Sequence, residues 1–177
     1  MRVISGTARG RKLVSPDGYD TRPTTDNVKE SLFNIIQFDI EGRRILDLFA
    51  GSGQLGIECL SRGAESAVFI DESREAVKII KENLKKCGFT ADVFMTDAES
   101  YLRKGEKFDI VFVDPPYESD YYEIVMKNIN LFDILNKGGI IIFESRADRV
   151  LPDMALPYHP LKSYVYGSVK LSLFSRY

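Results

Sequence analysis

The chain has 177 residues, of which 44% are apolar, 28% charged and 11% aromatic. This composition is typical of one soluble globular domain. The 24 lysines and arginines nearly balance the 26 aspartates and glutamates, so a net charge of −2 provides no overall positive field for non-specific binding of nucleic acid. The longest apolar runs are far shorter than the roughly 20 residues of a membrane-spanning helix, which argues against a membrane protein.

The cysteine and histidine content argues against metal and triad chemistry. Cys59 and Cys87 have neither the spacing of metal ligands nor the density of a disulfide framework. His159 has no cysteine or second histidine near it. The first residues contain arginines but no apolar stretch after them, so no secretory signal is predicted. We therefore expect free thiols, no metal site and a cytoplasmic location.

The leading part of the chain is predicted to form a small extension. Residues 2–14 favour a short hairpin around Gly6 to Gly10, which is followed by a loop. A helix is predicted to begin near Asp26 or Asn27, and Asn27 has capping-box spacing with Glu30. We expect the first 43 residues to be an appendage, and residues 44–177 to form one globular domain.

From Arg44 onward, short β-rich runs alternate with helical patterns. Strand, helix and strand at this spacing predict right-handed crossovers and a parallel sheet that is covered on both faces. The last two runs, on either side of Gly167 and Ser168, predict an antiparallel C-terminal hairpin. We therefore expect an α/β fold with a doubly wound, mostly parallel sheet. Strands are predicted at 45–49, 67–70, 92–95, 108–113, 139–143, 161–166 and 169–174, and helices at 55–60, 76–84, 98–102 and 121–135.

The turn after the first of these strands contains a glycine-rich motif. Gly51, Gly53 and Gly56 fit the G-x-G-x-x-G pattern, and Asp71 follows Gly51 by 20 residues. In a doubly wound sheet such a turn binds the phosphate or sugar part of a nucleotide, and an acid at this distance binds ribose hydroxyls. The spacing alone fits a dinucleotide or another adenosine-containing ligand.

Asp47 favours one of these ligands. It is predicted to end the first strand and to face the same cleft, where a carboxylate would repel a pyrophosphate and attract a cation. S-adenosylmethionine has an ammonium and a sulfonium group and no phosphate, so we favour it over NAD. The alternative is a solvated Asp47 that caps the following helix.

Three further residues are candidates for the donor site. Asp71 is predicted to bind ribose hydroxyls, unless it caps the helix that begins near Ser73. Asp97 follows the third strand and either binds the adenine amino group or caps a helix, and Ala98 would supply a backbone N–H.

The second motif is Asp114-Pro115-Pro116-Tyr117, which directly follows the fourth predicted strand. Two prolines remove two backbone donors, so the turn offers only acceptors. An amine on a nucleobase is a poor nucleophile because its lone pair is delocalised. Asp114 and the Pro115 carbonyl can accept its N–H protons while it attacks a methyl group, and Tyr117 can stack on the planar base. A rigid turn with Asp114 as a helix cap is the structural alternative.

These motifs resemble those of the class I (Rossmann-like) S-adenosylmethionine-dependent methyltransferases, and D-P-P-Y is similar to the amino-methyltransferase signature [ND]-P-P-[YFW]. The closer resemblance is to the RsmD family, bacterial enzymes that methylate the exocyclic N2 amine of a guanine in 16S ribosomal RNA. It spans essentially the whole chain. The segments that carry it are residues 2–13, 21–34, 46–53, 114–117 and 166–167.

The resemblance implies the activity, the donor and the site residues. It implies methyl transfer to a guanine of 16S ribosomal RNA. We also expect a monomer, and a folded RNA or the assembling small subunit as the substrate. Asp114, Pro115 and Tyr117 would be the catalytic residues. The donor positions fall on Asp47, Phe49, Gly51, Gly53, Asp71 and Asp97, with Ala98 beside them.

Positive charge is concentrated at the start of the chain. Residues 1–25 carry a net charge of +3, and the remaining residues sum to −5. A flexible basic hairpin with Arg9, Arg11 and Lys12, together with Arg22, is therefore predicted to bind RNA phosphates. An ordinary solvated face is the alternative for each side chain.

Three other functions stay open at this point. D-P-P-Y does not identify the amine, so adenine in DNA or glutamine in a protein is an alternative target. The glycine motif also fits an NAD-dependent oxidoreductase. The third alternative is an RNA-binding module without catalytic activity.

Overall fold

The computed structural model describes residues 1–15, 26–116 and 120–177. Within these residues the chain forms five helices and seven strands. None of these helices is long and apolar enough to cross a membrane. The helices are α1 Asp26–Ile35, α2 Gln54–Ser61, α3 Arg74–Cys87, α4 Ala98–Leu102 and α5 Tyr121–Phe132; the strands are β1 Arg44–Leu48, β2 Ser66–Asp71, β3 Asp92–Met95, β4 Phe108–Val113, β5 Leu135–Arg146, β6 Tyr158–Tyr166 and β7 Val169–Arg176.

The seven described strands form one sheet in the order β3-β2-β1-β4-β5-β7-β6. The first five in this order are parallel to one another, and β7 is antiparallel to both β5 and β6. The predicted mostly parallel, doubly wound sheet with an antiparallel C-terminal hairpin is confirmed. The hairpin is inserted with β7 inward, so β6 alone forms that edge.

The two faces of the sheet bury separate apolar clusters. Alternate residues of β1 point to opposite faces, so Ile45 joins the cluster under α1, α2 and α3, while Leu46 and Leu48 join the cluster under α4 and α5. Burial on both faces explains why the parallel strands are apolar nearly throughout.

Some predicted element bounds match the structure and others shift, such as α3, which is predicted at 76–84 and spans Arg74–Cys87, and β5, which is predicted at 139–143 and spans Leu135–Arg146. β3, α4 and β4 have the predicted bounds. The helix predicted to reach Leu135 ends at Phe132, because Asp133 adopts a left-handed conformation with φ 49°. Helix α1 begins at Asp26, one of the two predicted starts, and Asn27 lies inside the helix, so it is not the cap.

The N-terminal segment, residues 1–15, packs into the core instead of standing apart as a flexible appendage. Val3, Ala8 and Leu13 are buried in the same cluster as α1 and α2. The predicted hairpin is reduced to one antiparallel bridge between Arg2 and Lys12.

Buried polar groups on α2 hold this segment. The Glu58 carboxylate, 0% exposed, accepts hydrogen bonds from the backbone N–H groups of Ile4 and Ser5 at 2.8 and 2.9 Å. It also pairs with the buried Lys29 ammonium at 3.2 Å and with Arg62 at 2.9 Å. A buried carboxylate with this many partners is compensated for its loss of hydration.

Candidate functional site

A cavity of about 200 Å³ opens at the carboxyl ends of the parallel strands. It lies beside the neighbouring strands β1 and β4. From β1 the chain continues to β2 on one side of the sheet, and from β4 it continues to β5 on the other side. This point, where the strand order reverses, is the usual ligand site of such sheets. Residues that follow β1, β2, β3 and β4 line it. They include Phe49, Ala50, Gly51 and Ser52, then Asp71, Glu72 and Ser73, then Thr96, Asp97 and Ala98, and finally Asp114 and Pro116.

The three motif glycines are needed for three different reasons. Gly51 and Gly53 have φ angles of 56° and 77°, which favour glycine. The Gly51 N–H donates to Oδ2 of Asp71 at 2.9 Å, which ties the turn to the end of β2. A Cβ atom at Gly56 would lie 2.4 Å from Cε1 of Phe69, so the third glycine permits close packing of α2 on the sheet.

Asp71 lines the cavity at the end of β2. Its second oxygen, Oδ1, accepts from the Ser73 N–H at 2.9 Å, and Ser73 itself is the N-cap of α3. Asp71 therefore orders both neighbouring turns and is not the helix cap that the sequence allowed. Contact with ribose hydroxyls stays a prediction for this residue.

The expected position of Asp47 in the cleft is wrong. Its side chain is 3% exposed and lies beneath the glycine turn, where Oδ2 accepts from the Gly56 N–H at 3.0 Å. Burial raises the pKa of Asp47 to about 7, partly offset by the Gly56 hydrogen bond, with a further increase from the charge of Asp71. Asp47 thus stabilises the first turn of α2, as its alternative interpretation proposed, but it does so as a buried and not as a solvated residue. The physical reason is strand alternation, because Asp47 shares the face of Ile45 that α2 covers.

Asp97 and Ala98 open helix α4 at the cavity wall. Asp97 is the N-cap, and Oδ1 accepts from the Ser100 N–H at 2.8 Å, which lowers the pKa of the Asp97 carboxyl. Ala98 is the first helical residue, where the backbone N–H has no acceptor within the helix. The cap is therefore the role that the structure shows for Asp97, and a contact of either residue with adenine stays a prediction.

Phe49 has a strained backbone at the centre of the site. Its φ angle is 110°, a region that a bulky side chain rarely occupies. Its N–H donates to the Ile70 carbonyl at 3.1 Å, and its ring lies 5.3 Å from that of Tyr121, which also lines the cavity. Strain of this kind persists where the surroundings hold it, often at a binding site.

The turn after β4 brings the second motif to the same cavity. Asp114 and Pro116 line it, and Pro115 is buried. The structure therefore brings Asp114 together with Asp71 and the glycine turn. Tyr117 lies outside the described residues, as does Arg22 among the predicted RNA contacts. Arg9, Arg11 and Lys12 are exposed on the N-terminal segment.

Several cavity residues were not predicted from the sequence. Glu72 could have been found beside Asp71, and Tyr121 as an aromatic residue shortly after the D-P-P-Y turn. Met1, Gln54 and Thr96 gave no signal, because only the fold brings them to the cavity.

The charge of the cavity wall fits a cation better than a phosphate. Four carboxylates line it, and no lysine, arginine or histidine does so among the residues that the structure describes. Such a wall disfavours a pyrophosphate and favours a ligand with ammonium or sulfonium groups. The cleft therefore fits S-adenosylmethionine and argues against NAD.

Comparison with known proteins agrees with this geometry. A family model described as "Conserved hypothetical protein 95" matches residues 1–175. The chain is 40% identical to the "Putative rRNA methyltransferase YlbH" of Bacillus subtilis, over 99% of both chains. It is 39% identical to the "Ribosomal RNA small subunit methyltransferase D" of Escherichia coli, over 99% of this chain and 90% of that protein.

Solved structures give the same result. The putative methyltransferase yhhF from Escherichia coli superposes with a TM-score of 0.88 and 35% identity, over 99% of this chain and 97% of that one. A putative methylase from Haemophilus influenzae has a TM-score of 0.83 at 30% identity, over 99% and 98% of the two chains. The expected resemblance is confirmed: the chain belongs to this family, the RsmD family of S-adenosylmethionine-dependent methyltransferases.

Proposed function

We propose that this protein transfers a methyl group from S-adenosylmethionine to the exocyclic N2 amine of a guanine in 16S ribosomal RNA. The observation that carries the proposal is one cavity whose wall joins the glycine turn to the Asp114 turn and is lined by four carboxylates. The name of the Escherichia coli relative, a small-subunit ribosomal RNA methyltransferase, supports the choice of RNA.

The donor would be held by the residues that follow β1, β2 and β3. When bound, S-adenosylmethionine supplies an electrophilic methyl group on its sulfonium. The Asp71 carboxylate would bind the ribose hydroxyls, while Asp97 and the Ala98 N–H would bind the adenine. Phe49 and the glycine turn with Gly51 and Gly53 complete this side of the site.

The acceptor amine would be oriented by the turn after β4. The Asp114 carboxylate and the Pro115 carbonyl accept hydrogen bonds from the two N–H groups of the amine. These hydrogen bonds favour the tetrahedral nitrogen that develops during attack. The Tyr117 side chain stacks on the base and holds it in the plane that these acceptors require. Asp114 then receives the proton that the nitrogen loses after it has gained the methyl group.

The RNA would be held at the basic N-terminal face. Arg9, Arg11, Lys12 and Arg22 would contact phosphates, which positions the RNA without reading its sequence. A stacked guanine has to leave its stack to reach the cavity, so an exposed loop of folded RNA or of the assembling subunit is the expected substrate. We expect a cytoplasmic monomer that acts on ribosomal RNA without a membrane.

The experiment is methyl transfer from labelled donor to separate candidate substrates. 16S RNA, assembled small subunits, DNA and protein are each incubated with the enzyme, and labelled RNA is digested to nucleosides. The proposal predicts label in N2-methylguanosine from RNA or subunits. Label in DNA adenine, in protein glutamine or in another RNA nucleoside would contradict it.

A further inference from the structure

Asn83 connects three parts of the chain that are far apart in sequence. It lies on α3 and is 0% exposed. Its Oδ1 accepts from the Val14 N–H at 2.8 Å, and its Nδ2 donates to the carbonyls of Val14 and Ser52, each at 2.9 Å. One buried amide thus uses its acceptor and both donors to join the N-terminal segment to the glycine turn.

The Ser52 end of this connection reaches the donor cavity. Ser52 lines the cavity, and its hydroxyl donates to Sδ of Met1 at 3.2 Å. Met1 lines the cavity as well. The N-terminal segment therefore meets the glycine turn twice, through Met1 and through the Asn83 amide.

The rest of the N-terminal segment is held to α2 by Ser61. The Ala8 N–H donates to Oγ of Ser61 at 2.9 Å, and the Thr7 N–H donates to the Ser61 carbonyl at 2.8 Å. A Cβ at Gly6 would lie 1.7 Å from that carbonyl oxygen, so the two backbones are in close contact. Arg9, Arg11 and Lys12 lie in this same anchored segment.

We propose that Asn83 is a positioning residue that couples donor binding to RNA binding. A ligand in the cavity restrains Ser52 and Met1, and Asn83 transmits that restraint to Val14 and hence to the basic residues nearby. Donor and RNA then raise each other's affinity by the same factor, because binding linkage is reciprocal. The RNA side of this coupling rests on the proposed function, whereas the donor side does not.

The first test uses the wild-type protein and S-adenosylhomocysteine, which cannot transfer a methyl group. Amide hydrogen exchange is followed by mass spectrometry with and without this ligand. The coupling predicts slower exchange of the hydrogen-bonded amides of Val3, Gly10 and Val14 when the ligand is bound. Ligand binding without any change in these amides would overturn the proposal.

The second test uses Asn83→Asp, which keeps the shape and the acceptor but loses both donors. Calorimetry measures the affinity for S-adenosylhomocysteine with and without a 16S RNA fragment. We expect the variant to bind S-adenosylhomocysteine about tenfold more weakly, which is an ordinary size for a coupling between two sites. We also expect that RNA no longer increases the affinity of the variant for this ligand. Affinity within about twofold of the wild type, with the RNA-dependent gain preserved, would contradict the proposed role.

Asn128→Asp is the matched control. Asn128 is also buried, but its Nδ2 donates to the Ile124 carbonyl within its own helix α5. This variant controls for the cost of replacing a buried amide, and it should leave both affinities unchanged. If the wild type bound the ligand and protected the segment but methylated no RNA, the proposed function would fail while the donor side of the coupling would stand.

Discussion

The floor and the rim of the cavity use carboxylates in opposite ways. The floor is the layer beneath the glycine turn, formed by Asp47, Gly56 and Phe69, which do not line the cavity themselves and are buried and fixed by contacts with one another. The rim carries Asp71, Asp97 and Asp114, which line the opening and are not fully buried. The comparison shows that a carboxylate in a ligand-binding motif can have a structural role instead of a ligand contact. Its burial must therefore be known before a role in binding or catalysis is assigned to it.

The largest expected effect is on the rim. Asp114→Ala should lower the turnover number by about 10²–10³-fold, since it removes an acceptor that acts on the nitrogen in the transition state. The affinity for S-adenosylhomocysteine should stay within about twofold, because binding of the donor uses the other walls. Single-turnover methylation and calorimetry measure the two quantities. Unchanged methylation by this variant would contradict the catalytic role.

A change in the floor should instead affect folding. Gly56→Ala places a Cβ against the Phe69 ring and should lower the free energy of unfolding by about 3 kcal/mol, as overpacking of a core does. Urea denaturation measures this. Gly88→Ala is the comparison, because Gly88 has φ 77° and open space around its missing Cβ, so it reports backbone strain alone. Equal losses in the two variants would mean that the contact with Phe69 does not matter.

The buried carboxyl of Asp47 should make stability depend on pH. Its pKa is raised to about 7, mainly by burial, so the folded state holds a proton that the unfolded state has lost above the ordinary value of 3.8. The contribution of the protonated Asp47 carboxyl to the free energy of unfolding is fully present below pH 3.8 and is lost as the pH rises to about 7. Asp47→Asn should remove most of this pH-dependent loss of stability, measured by urea denaturation between pH 4 and 8.

Asp133 is a control, because its pKa shift makes stability depend on pH in the opposite direction. Hydrogen bonds from Arg176, then from Lys107 and Tyr158, hold the pKa of Asp133 well below its usual range. Its contribution is therefore present above pH 3.8 and is lost as the pH falls below that value. If Asp47→Asn changed stability equally at all pH values, the account of the floor would be wrong.

The smallest effect concerns donor affinity. Asp71→Asn removes the charge that we expect beside the ribose hydroxyls and should weaken binding of S-adenosylhomocysteine about tenfold. Calorimetry measures the dissociation constant. Glu72→Gln is the matched control, because Glu72 is a neighbouring acid that lines the same cavity. If both variants lost the same affinity for S-adenosylhomocysteine, the effect would come from the overall negative charge of the rim and not from a specific contact of Asp71.

Much of the fold could be predicted because it depends on local periodicity. The apolar runs of β1 to β4 and the glycine turn lie where the pattern placed them, and Asp114 reaches the predicted cavity. The orientation of Asp47 was missed, although alternation along β1 would have placed it with Ile45 on the face that α2 covers.

The docking of the N-terminal segment could not be predicted. Glu58 binds Ile4 and Ser5, which lie 54 and 53 residues away, and Asn83 binds Val14 at a distance of 69 residues. Contacts of this range depend on how the elements pack, and neither composition nor spacing encodes them locally. From the sequence alone, this basic, polar stretch is therefore predicted to be a flexible appendage.

The proposed methyl transfer is tested most directly by mapping ribosomal RNA from cells that lack this protein. The account predicts that one guanine of 16S RNA loses its N2-methyl group, that the wild-type protein restores it, and that the Asp114→Ala variant does not. Methylation of 16S RNA that is unchanged without the protein, or restored in full by Asp114→Ala, would contradict it.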